Sequence, residues 1–281
     1  MKDLFRLGGR VEQATELLGF IASQCPFCDR TTAFVEAFNY VTRLLGIPDP
    51  YVREKSEYNA VGRRLHLKFR ELLERRSWDL ELALRMAAIA NVADSHVLGC
   101  SATPRDLERA LEEGFNFHGE EIDVLLRARG GKALILLDNA GELHIDLLLG
   151  EALSRKGFKV RYAARTKPYE VDVTESELRN IVDGGNIVLG TGTAYPPLYT
   201  RRIRTELIEE MQKADLVVAK GIANLEAFLD CLPGTRLENL FFVLAAKCQP
   251  LAKALRVPYK SGVALPSWRA EELCRGLLRR S

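Results

Sequence analysis

Asp138 closes the apolar run Lys132-Ala-Leu-Ile-Leu-Leu-Asp138 and is followed at once by Asn139, Ala140, Gly141 and Glu142. Two carboxylates and an amide oxygen around a glycine turn are hard oxygen donors, suited to Mg²⁺ or Mn²⁺ and not to a thiolate-type metal site. The same residue types also suit a plain turn that caps the next helix, so this segment alone supports both readings. A further carboxylate, Asp172, follows the loop Arg165-Thr-Lys-Pro168-Tyr-Glu-Val and stands two residues before a helix start at Thr174-Glu-Ser-Glu177. By itself Asp172 reads as a charge near a helix N-terminus. Beside Asp138 and Asn139 it completes a three-ligand oxygen set that leaves positions for water and substrate.

Two more segments carry polar chemistry. Gly190-Thr191-Gly192-Thr193 combines glycines that allow close backbone approach with hydroxyls and amides able to hold phosphate oxygens, although Gly/Thr turns are common for structural reasons alone. Lys220-Gly221-Ile-Ala-Asn224-Leu-Glu226 places a lysine where it could neutralise a phosphate, with a solvated lysine as the plain alternative, and Asn224 and Glu226 as a polar pair in the next helix.

All these segments follow short apolar runs. Runs at 132–138, 158–164, 186–190, 214–219 and 240–246, with a weaker one at 261–265, alternate with helical patterns, including one at 142–155 and a final one at 267–279. That alternation predicts an α/β fold, a doubly wound, mostly parallel sheet covered by helices. In such sheets the ligand crevice lies beyond the carboxyl ends of the strands, where the candidate residues fall. Before Gly130-Gly131 the texture is helix after helix. Residues 31–45 repeat Phe34, Phe38, Val41, Leu44 and Leu45 at helical spacing, and residues 80–92 repeat Leu82, Leu84, Met86 and Ile89. Thr103 and Pro104 mark another helix start. The expected division is a helical domain over 1–129 and an α/β domain over 130–281.

Forty basic residues against 38 acidic ones leave a formal charge of +2, which provides no domain-wide field for nucleic acid. No apolar run approaches the roughly 20 residues of a membrane helix. The first ten residues lack a signal-peptide pattern, so no membrane association and a cytoplasmic location are expected. Of six cysteines, Cys100, Cys231, Cys248 and Cys274 are scattered and read as small buried hydrophobes. Cys25 and Cys28 form a CxxC without a second pair to complete a zinc site, and are expected to lie close together, bridged or unbridged, away from the chemistry. His66, His96, His118 and His144 share no metal or triad spacing and read as surface or core-edge residues. Arg201-Arg202-Ile-Arg204 reads as the start of a solvated helix face.

In chain order, Leu-Asp138-Asn139-Ala-Gly-Glu142, Asp172-Val-Thr, Ala214-Asp-Leu-Val-Val-Ala-Lys220-Gly-Ile-Ala-Asn224-Leu-Glu226 and Phe242-Val-Leu-Ala-Ala-Lys247-Cys248 resemble the metal-dependent damage-control phosphatase family, formerly domain of unknown function 89. The likeness covers at least residues 130–255, and Ala90-Asn91-Val-Ala-Asp94 resembles the family's N-terminal region. The compact branch that it resembles includes phosphopantetheine phosphatases and also tends to carry an N-terminal CxxC. The resemblance implies a Rossmann-like domain packed on a helical one. It implies one divalent metal ion (magnesium, manganese, cobalt or nickel) on Asp138, Asn139 and Asp172, with Asn91 and Asp94 as pocket residues. The substrates implied are small phosphorylated metabolites: sugar phosphates, phosphopantetheine-like esters and damaged cofactor intermediates. The sequence departs from the family pattern in having Ala90 in place of a common glycine and Glu-Val before Asp172 in place of an asparagine neighbour.

Phosphate monoester hydrolysis needs accelerations up to ~10²¹, so positioning and charge neutralisation must both be large. The expected arrangement sets the ion on one phosphoryl oxygen and Lys220 and the amides near Gly192 and Thr193 on the others, with Glu142 as proton carrier or helix cap. Water at the ion and the Asp138 carboxylate both remain open as nucleophile. A carboxyl methyltransferase and a non-catalytic phosphometabolite-binding protein are the competing readings. The former normally has a glycine-rich turn where this chain has Asp138-Asn139.

Overall fold

The computed structural model describes residues 1–25, 27–91, 116–119, 121–182, 187–232, 234 and 237–278. Its helices are α1 (Lys2–Arg6), α2 (Val11–Gln24), α3 (Arg30–Leu45), α4 (Val52–Arg75), α5 (Leu80–Ala90), α6 (Asp123–Arg127), α7 (Leu143–Arg155), α8 (Glu175–Ile181), α9 (Thr205–Lys213), α10 (Gly221–Cys231), α11 (Gln249–Leu255) and α12 (Ser267–Leu278). Its strands are β1 (Phe117–Gly119), β2 (Gly131–Leu136), β3 (Phe158–Ala164), β4 (Ile187–Gly190), β5 (Leu216–Lys220), β6 (Leu240–Ala245) and β7 (Gly262–Pro266). They form one seven-stranded sheet in the order β1-β7-β6-β5-β2-β3-β4. All neighbours are parallel except β6 and β7. The chain runs outward from β2 through β3 to β4, then returns to place β5 on the other side of β2. The gap between the ends of β2 and β5 is therefore the sheet's topological switch point.

The continuous apolar runs reflect a sheet covered on both faces. Along β2 and the residue after it, Ala133, Ile135 and Leu137 enter one core while Leu134 and Leu136 enter the other, as the two-residue period of a strand requires. The first core gathers Leu65 and Phe69 of α4, Leu84 and Met86 of α5, Leu148 and Leu149 of α7 and Leu178 of α8. The second gathers Val35 of α3, Leu207 of α9, Phe228 of α10, Leu251 of α11 and Ala270 of α12. Helices from before residue 130 thus pack on both faces of the sheet. A smaller cluster of Leu4, Ala14, Leu17 and Val41 holds α1, α2 and α3 together.

Two local features differ from the sequence reading, and a third resolves an alternative that it left open. The three-residue β1, which pairs with β7 at the sheet edge, is too short to show a period of two. Phe34, expected on the buried face of α3, is 58% exposed, because Thr31, Val35, Phe38 and Val41 form that face instead. Cys25 and Cys28, left open between bridged and unbridged, are joined in a disulfide with Cα atoms 4.9 Å apart. Cys231 and Cys274 are buried and Cys248 is half-buried. The helix start at Thr103 and Pro104, together with Asp94, His96 and Cys100, lies outside the described residues. Among the described residues no helix is long and apolar enough to cross a membrane.

Helix α4 approaches the turn after β2 very closely. A Cβ on Gly62 would collide with the carbonyl of Gly141 and crowd the His144 ring at 2.8 Å. Asn59 Oδ1 accepts from Gly141 N at 2.9 Å, and buried Lys55 pairs with Asp49 at 2.7 Å and with Glu177 at 3.1 Å. Gly62→Ala should therefore cost about 1–3 kcal/mol despite the better helix propensity of alanine. Urea unfolding measures this directly, and a variant as stable as the parent would show that α4 is free to shift away from the turn.

Candidate active site

Backbone pairing brings the three proposed metal ligands together. Beyond β2, Ala140 N donates to Val171 O at 2.9 Å and Val173 N donates to Asp138 O at 2.9 Å, so Asn139 and Asp172 sit opposite each other in an antiparallel bridge. Pro168 and the turn before Val171 send the β3–α8 loop back across the end of β2. Thr174 then opens α8 with the capping box read from the sequence, Thr174 and Glu177 each accepting from the other's backbone. All three side chains are buried.

The surrounding hydrogen bonds hold the carboxylates in fixed places. Asn91, at the end of α5, donates through Nδ2 to Asp138 Oδ2 at 3.2 Å and to both oxygens of Glu142 at 3.0 and 2.9 Å. Its own Oδ1 accepts from Ala245 N at 3.0 Å, which ties α5 to β6. Glu142 Oε1 also accepts from the Asn139 backbone at 3.0 Å and from Asn139 Nδ2 at 3.1 Å. Glu142 therefore braces the Asp138-Asn139 turn. Gly221, with φ +72°, begins α10 across the switch point, where any side chain would collide with the Asp138 carboxylate. Only glycine meets both conditions.

Lys220 is placed differently from the sequence expectation. It is fully buried, donates to Ala87 O at 2.8 Å, and lies 3.2 Å from Asp146 Oδ1 and 3.7 Å from Glu142 Oε2. Burial alone would favour discharging this lysine, but Asp146 and Glu142 raise its pKa overall. Its charge is thus committed to carboxylates beneath the turn, not held out for an incoming phosphate. Asp146 pairs with it at an ion-pair distance, yet neither Asp146 oxygen has a hydrogen bond of good direction. Burial pushes the Asp146 carboxyl up, Lys220 opposes that shift, and Glu142 adds to it.

The Gly192 turn also departs from expectation. Gly192 N donates to Thr166 Oγ1 at 2.7 Å and Thr193 N to Thr191 Oγ1 at 3.2 Å, while Arg204 packs over the bare Gly192 Cα. These amides already have partners inside the loop and are not free to meet a phosphate. Asn224 is likewise a brace, donating to Lys220 O at 2.8 Å and to Leu137 O at 3.3 Å, so it joins the ends of β2 and β5. Glu226 pairs with Arg30 at 3.2 Å, and burial raises its pKa.

Two residues not proposed from sequence belong to this site. Arg165, at the end of β3, donates from Nε to Asp172 and from Nη1 to Ala194 O, with its guanidinium 4.4 Å from the Tyr169 ring centroid. It lines a small cleft with Thr31, Phe34, Val35, Tyr169 and Pro196. Asp146 lies one helical turn after Glu142 in α7. Its signal was present: an acid inside Leu143-His-Ile-Asp146-Leu-Leu-Leu interrupts an otherwise apolar face.

The residues present fit a divalent cation by their chemistry. Asp138 and Asp172 offer anionic oxygens and Asn139 a neutral one, on two backbone segments fixed against each other, with no sulfur donor among them. Among the described residues no three His, Cys, Asp or Glu side chains already form a metal cluster. A set of two carboxylates and one amide lies outside that description.

Residues 5–262 match the family described as the damage-control phosphatase ARMT1-like domain. A damage-control phosphatase of Archaeoglobus fulgidus is 29% identical over 223 residues, 77% of this chain and 75% of that protein. A damage-control phosphatase of Pyrococcus horikoshii is 28% identical over 232 residues, 80% of this chain and 76% of that protein. The crystal structure of a P. horikoshii protein of the domain-of-unknown-function-89 family superimposes with a TM-score of 0.73 at 24% identity. That superposition covers 95% of this chain and 91% of the other and shows the shared fold.

Lys220→Met should cost about 3–5 kcal/mol, because it leaves Asp146 and Glu142 buried without their cation. Adding Asp146→Leu should restore much of the loss. Urea unfolding of both variants tests this, and a single variant as stable as the parent would contradict the buried pairing.

Proposed function

The chain belongs to the damage-control phosphatase ARMT1-like family, and from that premise we propose that it hydrolyses phosphate monoesters of small metabolites with one divalent ion held by Asp138, Asn139 and Asp172. The observation that carries this reading is the bridge between Asn139 and Asp172, which gathers hard oxygen donors at the sheet's switch point. When bound, the ion would supply Lewis acidity toward a phosphoryl oxygen. Magnesium, manganese, cobalt and nickel are the candidates, the first two best suited to an all-oxygen donor set.

The protein groups divide the remaining work. Asn91, Glu142 and Lys220 act as positioning residues that keep Asp138 and Asn139 in one arrangement before substrate arrives, which lowers the reorganisation needed during reaction. Arg165 is itself buried and donates to Asp172 and to Ala194 O, so it acts as a further positioning residue that holds the Asp172 carboxylate beside the cleft. The organic part of the ester would lie toward Phe34, Val35 and Tyr169. The cleft also carries the Glu226 carboxylate, and the proposed substrates, sugar phosphates, phosphopantetheine-like esters and damaged cofactor intermediates, are those that the family resemblance implies.

Asp138→Ala and Asp172→Ala should each abolish metal-dependent phosphate release from an aryl phosphate while circular dichroism remains that of the parent. Asn139→Ala should retain activity but require more metal for half-maximal rate. Full activity in either aspartate variant would remove the metal-site assignment. Tight phosphate-ester binding with no release at saturating metal would favour a binding protein over an enzyme.

A further inference from the structure

His66 and His144, unrelated in sequence spacing, meet in a groove of about 780 Å³ between α4 and α7 that also reaches Tyr162 of β3 and Asn180 of α8. Three observations there point to an anionic ligand. His144 is only 4% exposed, and its buried Nε2 has no hydrogen-bond partner among the described residues. A buried polar atom without a partner costs about 1–3 kcal/mol, so a native one calls for an explanation. Next, the Nδ1 of His66 lies 2.7 Å from the His144 carbonyl oxygen. That acceptor fixes Nδ1 as the donor and leaves the other ring nitrogen for the groove. Finally, Arg63 is exposed at the same wall and has no ion-pair partner among the described residues.

The charge balance supports the same reading. Arg70 is neutralised by Glu151, to which it donates at 2.7 and 3.1 Å, and Glu151 is shared with Arg155 at 3.0 Å. Among the described residues Arg63 is left as the cation on the groove wall without an ion pair. Burial first, with smaller contributions from Arg63 and His66, lowers the His144 pKa to about 4. Leu67, Leu147 and Ile181 add an apolar strip along the same groove.

We propose that this groove is a second ligand site, separate from the crevice at the strand ends, that binds a small metabolite carrying a phosphate head group and a short apolar tail. The head group lies among Arg63, His66 and His144, with Asn180 and the Tyr162 hydroxyl as further polar neighbours, and the tail follows Leu67, Leu147 and Ile181. The volume suits a metabolite-sized ligand, for which pockets of about 300–1,000 Å³ are usual.

The test uses the intact protein in Mg²⁺ buffer and reads the imidazole Cε1–H signals by NMR. The four histidines give four such signals, each assigned from a single His→Gln variant. Titration with phenylphosphonate, which cannot be hydrolysed as an ester, should shift His66 and His144 saturably and leave His118 in place. Inorganic phosphate, which lacks the tail, should bind the same site roughly tenfold more weakly, and Arg63→Ala should weaken phenylphosphonate by about tenfold or more. Asp172→Ala, altered at the strand ends, should keep the shift. No saturable shift at His66 and His144, or a shift unchanged by Arg63→Ala or lost with Asp172→Ala, would overturn the second site. Equal binding of the two probes would overturn the apolar tail. None of these readings depends on turnover.

Discussion

Four carboxylates, those of Asp138, Glu142, Asp146 and Asp172, lie where water scarcely reaches, and the surrounding elements are arranged to keep them paired. Removing such a group from water costs several kcal/mol unless charges and hydrogen bonds compensate. Each compensating group comes from a different part of the chain: Lys220 from the end of β5, Arg165 from the end of β3, and Asn91 from the end of α5. Even the absent side chain of Gly221 belongs to this arrangement, because the Asp138 carboxylate occupies its space. A hydrophobic centre would be cheaper to bury. The gathering of these acids at one switch point supports the cation site proposed above.

The N-terminal helices take part in that arrangement. Helix α5 reaches the acids through Asn91, α4 presses Gly62 and Asn59 against the Gly141 turn, and α3 brings Thr31, Phe34 and Val35 to the mouth. The start of α3 is anchored in turn, with Asp29 accepting from Tyr199 and Arg201 and Thr31 donating to Asp230. The half of the chain that carries few of the candidate ligands therefore sets the shape of the space around them. Exposure of Phe34 follows naturally if that ring serves the cleft and not the core.

Much of this was legible from residue order. The runs at 158–164 and 240–246 match β3 and β6 almost residue for residue; β6 is continuously apolar because it is buried on both faces, while β3 carries Lys159 and Arg161 in its first half and is buried over Tyr162, Ala163 and Ala164. The grouping of Asp138, Asn139 and Asp172 was legible because all three follow strands that the alternation places side by side. The direction of a side chain was not. A lysine at a strand end reads as exposed, and only the three-dimensional path of α7 reveals that Asp146 and Glu142 draw Lys220 inward. The Gly192 turn has the composition of a phosphate loop but spends its amides on Thr166 and Thr191. The meeting of His66 with His144 depends on the packing of two helices 78 positions apart in their contacting residues, beyond the reach of any local pattern.

The proposed metal site rests on one backbone bridge, between Asn139 and Asp172. Anomalous diffraction from a crystal soaked in Mn²⁺ tests it most directly, because it locates the ion without reference to catalysis. One strong peak is expected within about 2.0–2.6 Å of oxygens from Asp138, Asn139 and Asp172. A peak coordinated by other residues, with these three side chains still in the hydrogen bonds described above, would contradict it.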